Sequence, residues 1–344
     1  MDFLPGLALS RSFYDGAVRP LLDEHCPGLS YTACLIGFGS EVLGYDTARS
    51  ADHNWGPRLQ VLTADDHEAI AALLAKGLPT TWLGHPTVFP MTMDPEPRLR
   101  IEVTDAGRWL SDWIGFDPRL GVTLTDWLAT PAQLLLEVTA GAVFHDGPGE
   151  LTAVRRALAW YPDDVWRHVL ACQWQRINTY EATPGRCAEL GDDIGSLTIT
   201  ARLVRDIMRL CLLMARRYPP AGKWLSTAFA RLPGIGDLPD QLAGALTASG
   251  WPAREDHLVA AYRAIAVRHN ELGLTEPLSP ECQTHLGRPS RLLSCGRFRR
   301  ALQATIADPT VRALPLAGVL DQFVDSVDAT RDHQLARALA SQLA

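Results

Sequence analysis

The spacing of apolar residues along this chain changes near residue 123. Before that point, short apolar runs such as "YTACLIGF" (31–38) are typical of buried strands. After it, apolar residues recur three and four positions apart, as in "SLTITARLVRDIMRLCLLMARRY" (196–218), which is typical of packed helices. Because the two periods occupy separate stretches, the sequence favours an α+β fold over a repeating architecture.

Two domains are expected from this change of period. The loop "HDGPGE" (145–150) is the favoured boundary. It separates residues 1–150, predicted to form a mixed sheet with flanking helices, from residues 151–344, predicted to form an all-helical bundle. A chain of 344 residues is long enough for two domains of ordinary size, each with its own core.

The order of elements can be predicted in outline. In the first half we expect helices at 6–25 and 64–78 and strands at 31–38, 80–84, 98–104 and in "WGPRLQVLT", the last entered around Asp52. The proline-rich "HPTVFPMTMDPEP" is predicted to be a loop, since proline lacks the amide hydrogen that a strand ladder requires. Helices are expected at 127–144, 149–161, 163–182, 196–218, 222–232, 236–248, 252–273, 290–306 and 316–343.

Composition narrows the class of protein. Hydrophobic residues make up 47% and charged residues 21%, values typical of a globular protein, and the net charge of −7 argues against nucleic acid as a partner. No apolar run is long enough to span a membrane, and "MDFLPGLALSRSFYDGAV" lacks the basic start of a signal peptide. Seven cysteines without a CxxC pair fit reduced thiols. We therefore expect a cytoplasmic protein with no membrane partner.

A glycine-rich turn follows the first predicted strand. Gly37 and Gly39 would allow the backbone to approach a phosphate closely, and Ser40 adds a hydroxyl donor. A dinucleotide fingerprint would need a third glycine where Val42 stands, and a Walker loop would need a lysine beside the turn. A purely structural turn with solvated polar residues remains the main alternative.

A polar cluster lies downstream of this turn, beginning at Ser50. On a strand, Asp52 and Asn54 would share one face because they are two residues apart. With Glu102 from the predicted strand "RIEVT", such a set could hold Mg²⁺ against a triphosphate. Glu102 could also act as the general base for an attacking hydroxyl.

Several stretches resemble a known family. The pattern "GFGS…SADHN" resembles the signature of the polymerase-beta-like nucleotidyltransferase superfamily, which includes the aminoglycoside (kanamycin) nucleotidyltransferases. More closely, "IGFGSEVLGYDTARSADHNWGPRLQ", "EVTAGAVFHDGPGELTAVR", "YPDDVWRHVLACQWQRI" and "LPLAGVLDQFVDS" resemble the domain-of-unknown-function family 4037, a nucleotidyltransferase-like group. These stretches extend from residue 36 to residue 326. The resemblance implies a nucleotidyltransferase fold for the N-terminal half.

The resemblance also implies roles for particular residues. Gly39 and Ser40, with Ser50 nearby, would bind the triphosphate, and Asp52 would bind the metal. Glu102 would be a metal ligand or the base, because "IEVT" is similar to the third-acid strand of aminoglycoside adenylyltransferases. Asn54 departs from the pattern, since the superfamily has a second aspartate there. Its amide oxygen is a weaker, neutral ligand for Mg²⁺, which puts the catalytic rate in doubt.

The scarcity of lysine draws attention to Lys223. Of the 32 lysine and arginine residues, only Lys76 and Lys223 are lysines. "RRYPPAGKWLSTAF" (216–229) is similar to a stretch in helical domains paired with small-molecule nucleotidyltransferases, where a lysine contacts the triphosphate. That similarity implies a nucleotide-binding role for Lys223, against the alternative of a solvated surface lysine.

Polar rows also occur on two predicted helices. Gln173, Arg176 and Tyr180 share one face and could line an acceptor pocket or form a polar stripe between helices. A second row, Arg202, Arg205, Asp206 and Arg209, is predicted to be a solvated face.

These observations lead to one functional hypothesis and two alternatives. The chain is expected to transfer a nucleoside monophosphate, AMP from Mg-ATP, to a hydroxyl of a small-molecule acceptor with release of pyrophosphate. The first alternative is a nucleotide-binding regulatory or partner protein weakened by Asn54. The second is a nucleotidyltransferase that acts on protein or RNA. The sequence leaves the acceptor, the nucleotide preference and the oligomeric state open.

Overall fold

The computed structural model describes residues 3–284 and 290–343. The chain forms two compact units. The first, here called the sheet unit, comprises residues up to Thr123 together with Gln133–Ala159. The second, the helical unit, comprises Leu124–Ala132 and the chain from Trp160 onward. The domain division at residue 150 stays a prediction, since compactness alone does not define an independently folding domain.

The first elements of the chain alternate between helix and strand. In order they are α1 (Gly6–Phe13), α2 (Arg19–His25), β1 (Tyr31–Leu35), β2 (Leu59–Thr63), α3 (His67–Gly77), β3 (Thr81–Trp82), β4 (His85–Pro86), β5 (Val88–Met91), β6 (Asp94–Leu99), β7 (Ile101–Thr104), α4 (Ala106–Ile114), α5 (Leu124–Ala129), α6 (Ala132–Thr139), β8 (Ala142–Asp146) and α7 (Glu150–Ala157). A π-helical turn joins α1 to α2, so the predicted helix at 6–25 is confirmed as one continuous helical stretch.

A four-stranded mixed sheet organises the sheet unit. Its strand order is β7-β2-β1-β8, with β1 antiparallel to both neighbours and β2 parallel to β7. One face carries Ala33 and Val61, which are register partners, and packs against Phe13, Val18 and the apolar side of α3. The α+β fold with a mixed sheet and flanking helices is therefore confirmed.

The opposite face of the sheet carries polar side chains in one row. Cys34 on β1 is the register partner of Gln60 on β2, and Gln60 is the partner of Glu102 on β7. Because side chains alternate between faces along a strand, these three residues point to the same side. Gln60 and Glu102 of this row line the candidate site described below.

Strand β8 corrects the prediction of helix and loop for residues 127–150. His145 and Asp146 belong to β8 rather than to a linker turn, and the helix before it ends at Thr139. Gly141 turns the chain with a φ of +71°, and a Cβ there would collide with the carbonyl oxygen of Leu35. Local apolar spacing could not distinguish this strand, since its pairing partner lies more than 100 residues earlier.

The loop predicted for residues 85–97 is also wrong. β5 and β6 pair there as a two-stranded antiparallel sheet, with Val88 opposite Leu99 and Phe89 opposite Arg98. Each strand of such a pair has a free edge, where a proline without an amide hydrogen leaves no ladder bond unmade. Pro90, Pro95 and Pro97 are therefore tolerated inside these strands.

The helical unit follows the predicted helices more closely. Besides α5, its elements are α8 (Asp163–Tyr180), α9 (Thr183–Glu189), α10 (Asp193–Met214), α11 (Leu225–Ala230), α12 (Leu238–Thr247), α13 (Trp251–Glu271), β9 (Gln283–Thr284), β10 (Arg291–Leu292), α14 (Gly296–Ala304), α15 (Pro309–Ala313), α16 (Leu320–Phe323), α17 (Val327–Arg331) and α18 (His333–Ser341). The predicted helix at 290–306 begins only at Gly296, and the one at 316–343 is divided into three short helices. Among the helices in the described parts of the chain, none is long and apolar enough to cross a membrane.

Candidate nucleotide site in the sheet unit

The glycines of the turn after β1 lie against side chains of the protein itself. Gly37 has a φ of +89°, and a Cβ there would lie 3.3 Å from the indole rings of both Trp109 and Trp113. Gly39 has a φ of +136°, and its Cβ would collide with the side chains of Arg58 and Glu41. Both positions therefore require glycine for backbone geometry and for close packing. The glycine pattern by itself is not evidence of a phosphate.

Arg58 and Glu41 form a buried ion pair under this turn. Arg58 Nη2 lies 2.6 Å from Glu41 Oε1, and the side chains are only 7% and 2% exposed. Arg58 also donates to the carbonyl oxygen of Phe38 at 2.6 Å, and its guanidinium carbon lies 4.7 Å from the centre of the Phe38 ring. Arg58 therefore holds the backbone of the turn in place through Phe38 and Glu41. It also lines a cleft over the sheet. Sequence reasoning missed Arg58, although its spacing of two from Gln60 predicts a shared face.

A cleft of about 430 Å³ opens over the polar face of the sheet. Its charged lining residues, among the residues described, are Arg58, Arg98, Arg100, Asp94 and Glu102. Volumes of this size are usual for small-molecule sites. We call it the sheet cleft.

Two arginines of the sheet cleft form ion pairs with the same aspartate. Arg100 Nη1 lies 2.7 Å from Asp94 Oδ2, and Arg98 Nη2 lies 3.0 Å from Asp94 Oδ1. The hydrogen bond from Arg100 holds the pKa of Asp94 below its usual range. One carboxylate therefore serves two arginines, which leaves positive charge on this side of the cleft.

Aromatic rings line another side of the sheet cleft. Trp109 and Trp113 on α4 stack with ring centroids 5.3 Å apart and planes inclined by 9°. Phe38 continues the stack at 6.3 Å from Trp113. A wall of flat rings can hold another planar group by stacking.

Glu102 is the predicted site residue that the sheet cleft contains. Burial raises the pKa of its carboxyl group, although the hydrogen bond from Trp109 Nε1 to Glu102 Oε2, at 3.1 Å, partly opposes this. Glu102 makes no ion pair with any residue that the structure describes. A carboxyl group with a raised pKa in a cleft is suited to accept a proton.

Gln60 stands beside Glu102 and was also missed by sequence reasoning. Its side-chain amide donates to the carbonyl oxygen of Ile36 at 3.1 Å and accepts from the amide of Ile36 at 3.2 Å. The Gln60 side chain therefore satisfies both backbone groups of Ile36, just after the end of β1, in place of a neighbouring strand. The only sequence feature that indicated a role for Gln60 was its position two residues after Arg58, which puts both side chains on one face of a strand.

Asp52 and Asn54 do not lie on a strand, which corrects the sequence prediction. Asp52 ends a 3₁₀ helix (Ala48–Asp52), and β2 begins only at Leu59. Asn54 has a left-handed φ of +52°, a conformation that asparagine tolerates better than most residues. The extended pattern failed here because the buried Trp55 and Gly56 belong to an irregular segment that precedes β2 rather than to the strand itself.

Local contacts engage both of these side chains. Asp52, 48% exposed, accepts from His53 Nδ1 at 2.5 Å, and this bond lowers the pKa of Asp52. Neighbouring side chains on a strand point to opposite faces, so this contact is a further sign that Asp52 does not lie on a strand. The Asn54 side-chain oxygen accepts from the amide of Thr92 at 2.6 Å.

The remaining predicted nucleotide-binding residues have ordinary local roles. Ser50 Oγ accepts from the amide of Thr47 at 3.0 Å and so caps the 3₁₀ helix. Ser40 is half-buried in the turn, where its carbonyl oxygen accepts from Tyr45. Lys223 is exposed in a short 3₁₀ helix of the helical unit, with its ammonium 4.8 Å from the centre of the Trp224 ring. Phosphate binding by these residues stays a prediction.

The described residues fit a two-metal centre poorly. Within residues 3–284 and 290–343, no group of three or more histidine, cysteine, aspartate or glutamate side chains could hold a metal ion. Glu102 lines the sheet cleft, whereas Asp52 and Asn54 are not among its lining residues. Asp94, the other carboxylate of the cleft, is already bound by two arginines.

Comparisons with known proteins show what parts of the chain are similar to. No curated protein matches the chain. A solved structure of a nucleotidyltransferase-like protein from Exiguobacterium sibiricum 255-15 is similar over 80% of this chain and 96% of that one, at 11% identity and a TM-score of 0.33. Residues 127–225, less than a third of the chain, match the family model "Domain of unknown function (DUF4037)", and this stretch is similar to that family.

Proposed function

We propose that this protein is a nucleotidyltransferase that binds a nucleoside triphosphate, ATP, in the sheet cleft. The observation that supports the proposal most is Glu102, a carboxyl group with a raised pKa beside positive charge and a wall of aromatic rings. The arginines supply the charge that a polyphosphate requires, and the rings suit a planar base. The acceptor is a small molecule with a hydroxyl group.

Glu102 acts as the general base in the proposed reaction. The acceptor oxygen attacks the α-phosphorus while its proton passes to a carboxylate oxygen of Glu102. The new phosphorus–oxygen bond forms as the bond to pyrophosphate breaks, so that pyrophosphate leaves with the electron pair. Arg58 and Arg100 stabilise the negative charge on the phosphates, and the Gly39–Ser40 turn contributes backbone and hydroxyl donors.

Mg²⁺ belongs to the proposal as a companion of the triphosphate. Magnesium commonly binds through substrate phosphates and only one or two protein carboxylates. Since the described carboxylates do not assemble around a common point, no step is assigned to the metal.

A second candidate function is nucleotide binding without transfer, as in a regulatory or partner protein. The observation that favours it is the engagement of the Asn54 oxygen by Thr92, together with the exposure of Asp52. A side chain committed to a backbone amide is a poor metal ligand.

Calorimetry and a pyrophosphate assay distinguish the two functions. Titration with ATP and Mg²⁺ measures binding, and pyrophosphate release is then followed across a panel of small hydroxyl compounds. The nucleotidyltransferase proposal expects release with at least one acceptor. Binding without release across the panel would favour the regulatory function, and absence of binding would contradict both.

A matched pair of variants tests the role of Glu102. Glu102→Gln should lower the rate of transfer by about 100-fold or more, the usual contribution of a general base, and leave ATP affinity nearly unchanged. Glu96→Gln is the control, because Glu96 is an exposed acid of the same unit that does not line the sheet cleft. Equal rates in the two variants would eliminate Glu102 as the base.

A further inference from the structure

The arginine row on α10 does not form the solvated face predicted from the sequence. Arg202, Arg205 and Arg209 follow one another at spacings of three and four, so they share one side of the helix. Together with Arg176 on α8 they line a pocket of about 600 Å³. We call it the arginine pocket, and all of its lining residues belong to the helical unit.

Three aspartates compensate three of these four arginines. Asp206 lies 3.1 Å from Arg176, Asp321 lies 2.8 Å from Arg209, and Asp325 lies 2.7 Å from Arg205. Arg202 has no carboxylate partner in the described parts of the chain, and its guanidinium instead lies 4.1 Å from the centre of the Tyr180 ring. The pocket therefore carries an excess positive charge in a chain whose net charge is −7.

The four arginines differ in how firmly they are held. The Arg176 and Arg209 pairs involve aspartates that are 1% and 15% exposed, so these two arginines are fixed parts of the wall. Asp325, by contrast, is 79% exposed, and Arg205 is 41% exposed. Solvent-exposed ion pairs contribute little to stability, so a stronger anion can displace Asp325 from Arg205.

The remaining lining gives the pocket an apolar side. Phe323 is 38% exposed beside it, and Ile199 and Val324 also line it. The volume lies within the range of small-molecule sites. A ligand that fits this combination has one strongly charged group and a small apolar or ring-shaped body.

We propose that the arginine pocket binds the phosphate group of a small, soluble organic phosphate. Arg202 and Arg205 bind the phosphate oxygens, since the planar fork of arginine matches phosphate and carboxylate geometry. A phosphate monoester carries close to two negative charges, which matches one uncompensated arginine and one weakly paired arginine. The body of the ligand lies against Phe323. The proposal does not depend on the nucleotide function, because the described residues that line the sheet cleft all fall between Leu35 and Trp113.

Calorimetric titration with phenyl phosphate tests the proposal, since this probe combines a phosphate dianion with a ring. Benzoate, which has one charge on the same ring, should bind more weakly. Arg202→Gln and Arg205→Gln should each weaken phenyl phosphate binding by about tenfold, the usual effect of losing a hydrogen bond to a charged group. Asp325→Asn should strengthen binding severalfold, because it removes the competing anion.

Arg263→Gln is the matched control for these variants. Arg263 is 51% exposed and pairs with Glu281, which is 58% exposed, but it does not line the arginine pocket. Thermal unfolding of every variant shows whether it is folded. If an arginine variant is not folded, the stronger binding expected of Asp325→Asn still tests the proposal. No heat from phenyl phosphate with the native chain, or binding that the three pocket variants leave unchanged, would overturn the proposal.

A vesicle experiment distinguishes a soluble phosphate from a membrane-borne one. The chain is centrifuged with phosphatidylcholine vesicles with and without phosphatidic acid. We expect the chain to stay in the supernatant in both cases. Sedimentation with phosphatidic acid that Arg202→Gln abolishes would overturn the assignment to a soluble ligand.

Discussion

The guanidinium of Arg58 and the carboxylate of Glu41 meet at 2.6 Å beneath the backbone of Gly39, almost completely out of contact with solvent. This pair links the turn after β1 to the residue that precedes β2. It therefore couples the stability of the sheet unit to the shape of the sheet cleft, and it can be tested by substitution.

Removing the arginine should destabilise the protein strongly. Arg58→Met leaves the Glu41 carboxylate buried without its partner, and the expected loss is about 3–5 kcal/mol in the free energy of unfolding. Arg49→Gln is the control, because Arg49 is 93% exposed and its contact with Asp52 is long, at 3.8 Å. Urea unfolding measures both. A loss below about 1 kcal/mol for Arg58→Met would show that Glu41 finds another partner or water.

The glycine at position 39 should tolerate alanine less well than a glycine in open space. Gly39→Ala meets both a left-handed backbone and the side chains of Arg58 and Glu41, whereas Gly44→Ala, at a φ of +73°, meets no atom within 4 Å. We expect about 1–2 kcal/mol from the backbone term alone at Gly44 and a larger loss at Gly39. Thermal unfolding of the two variants gives the comparison. Equal losses would mean that the ion pair moves aside without cost.

Glu102 should make the rate of transfer depend on pH in a defined direction. Because burial raises the pKa of Glu102, the proposed base becomes active only as the pH rises through that elevated pKa. The hydrogen bond from Trp109 lowers the pKa, so Trp109→Phe should move the rising limb to higher pH. The pH profile of pyrophosphate release measures this shift. A limb that stays in place, or moves to lower pH, would contradict the assignment.

The same group makes a prediction for stability. An acid with a raised pKa binds its proton more tightly in the folded protein, so its contribution favours the folded state at low pH and is lost as the pH rises through the folded pKa. Glu102→Gln should therefore raise the melting temperature at pH 8 more than at pH 4. Glu96→Gln should show no such difference.

Two buried histidines of the helical unit should make it sensitive to acid. Burial lowers the pKa of both His168 and His269 to about 4. Their contribution to stability is complete above the unfolded pKa of about 6.5 and is lost as the pH falls toward 4. From these values, each should contribute roughly 3 kcal/mol to the difference in unfolding free energy between pH 7 and pH 4.

Glutamine variants test that origin of acid sensitivity. His168→Gln and His269→Gln should each flatten the dependence of urea unfolding on pH between 6.5 and 4. The exposed His25 provides the control, and His25→Gln should leave the slope unchanged. A slope unaffected by all three substitutions would place the acid sensitivity elsewhere.

Part of the candidate site could be predicted from sequence and part could not. Glu102 was predicted because "RIEVT" has the alternation of a strand, and β7 forms there. Asp52 and Asn54 were predicted on the wrong element, because a turn of polar and glycine residues has no periodicity that distinguishes it from the entry to a strand. Arg58 and Gln60 carried no composition signal at all, since their roles come from partners in other segments.

In the helical unit, too, the positions of the elements could be predicted but their surroundings could not. Helical spacing correctly located α8 and α10, and it put the arginines of α10 on one face. It could not indicate what that face meets, so a lined pocket was predicted as a solvated surface. In the polar stripe on α8, Gln173 is buried between helices and donates to Asp206 at 3.1 Å, whereas Arg176 lines the arginine pocket.

The amino-acid sequence alone determined the α+β class, most of the helices and the central strand with its glycine turn, because these depend on the local spacing of apolar residues and on backbone freedom. Only the tertiary structure decided that β8 completes the sheet, that Arg58 and Glu41 fill the space under Gly39, and that four arginines surround one pocket. Those outcomes depend on contacts between residues far apart in the chain, where burial and charge pairing act on groups that no local pattern connects.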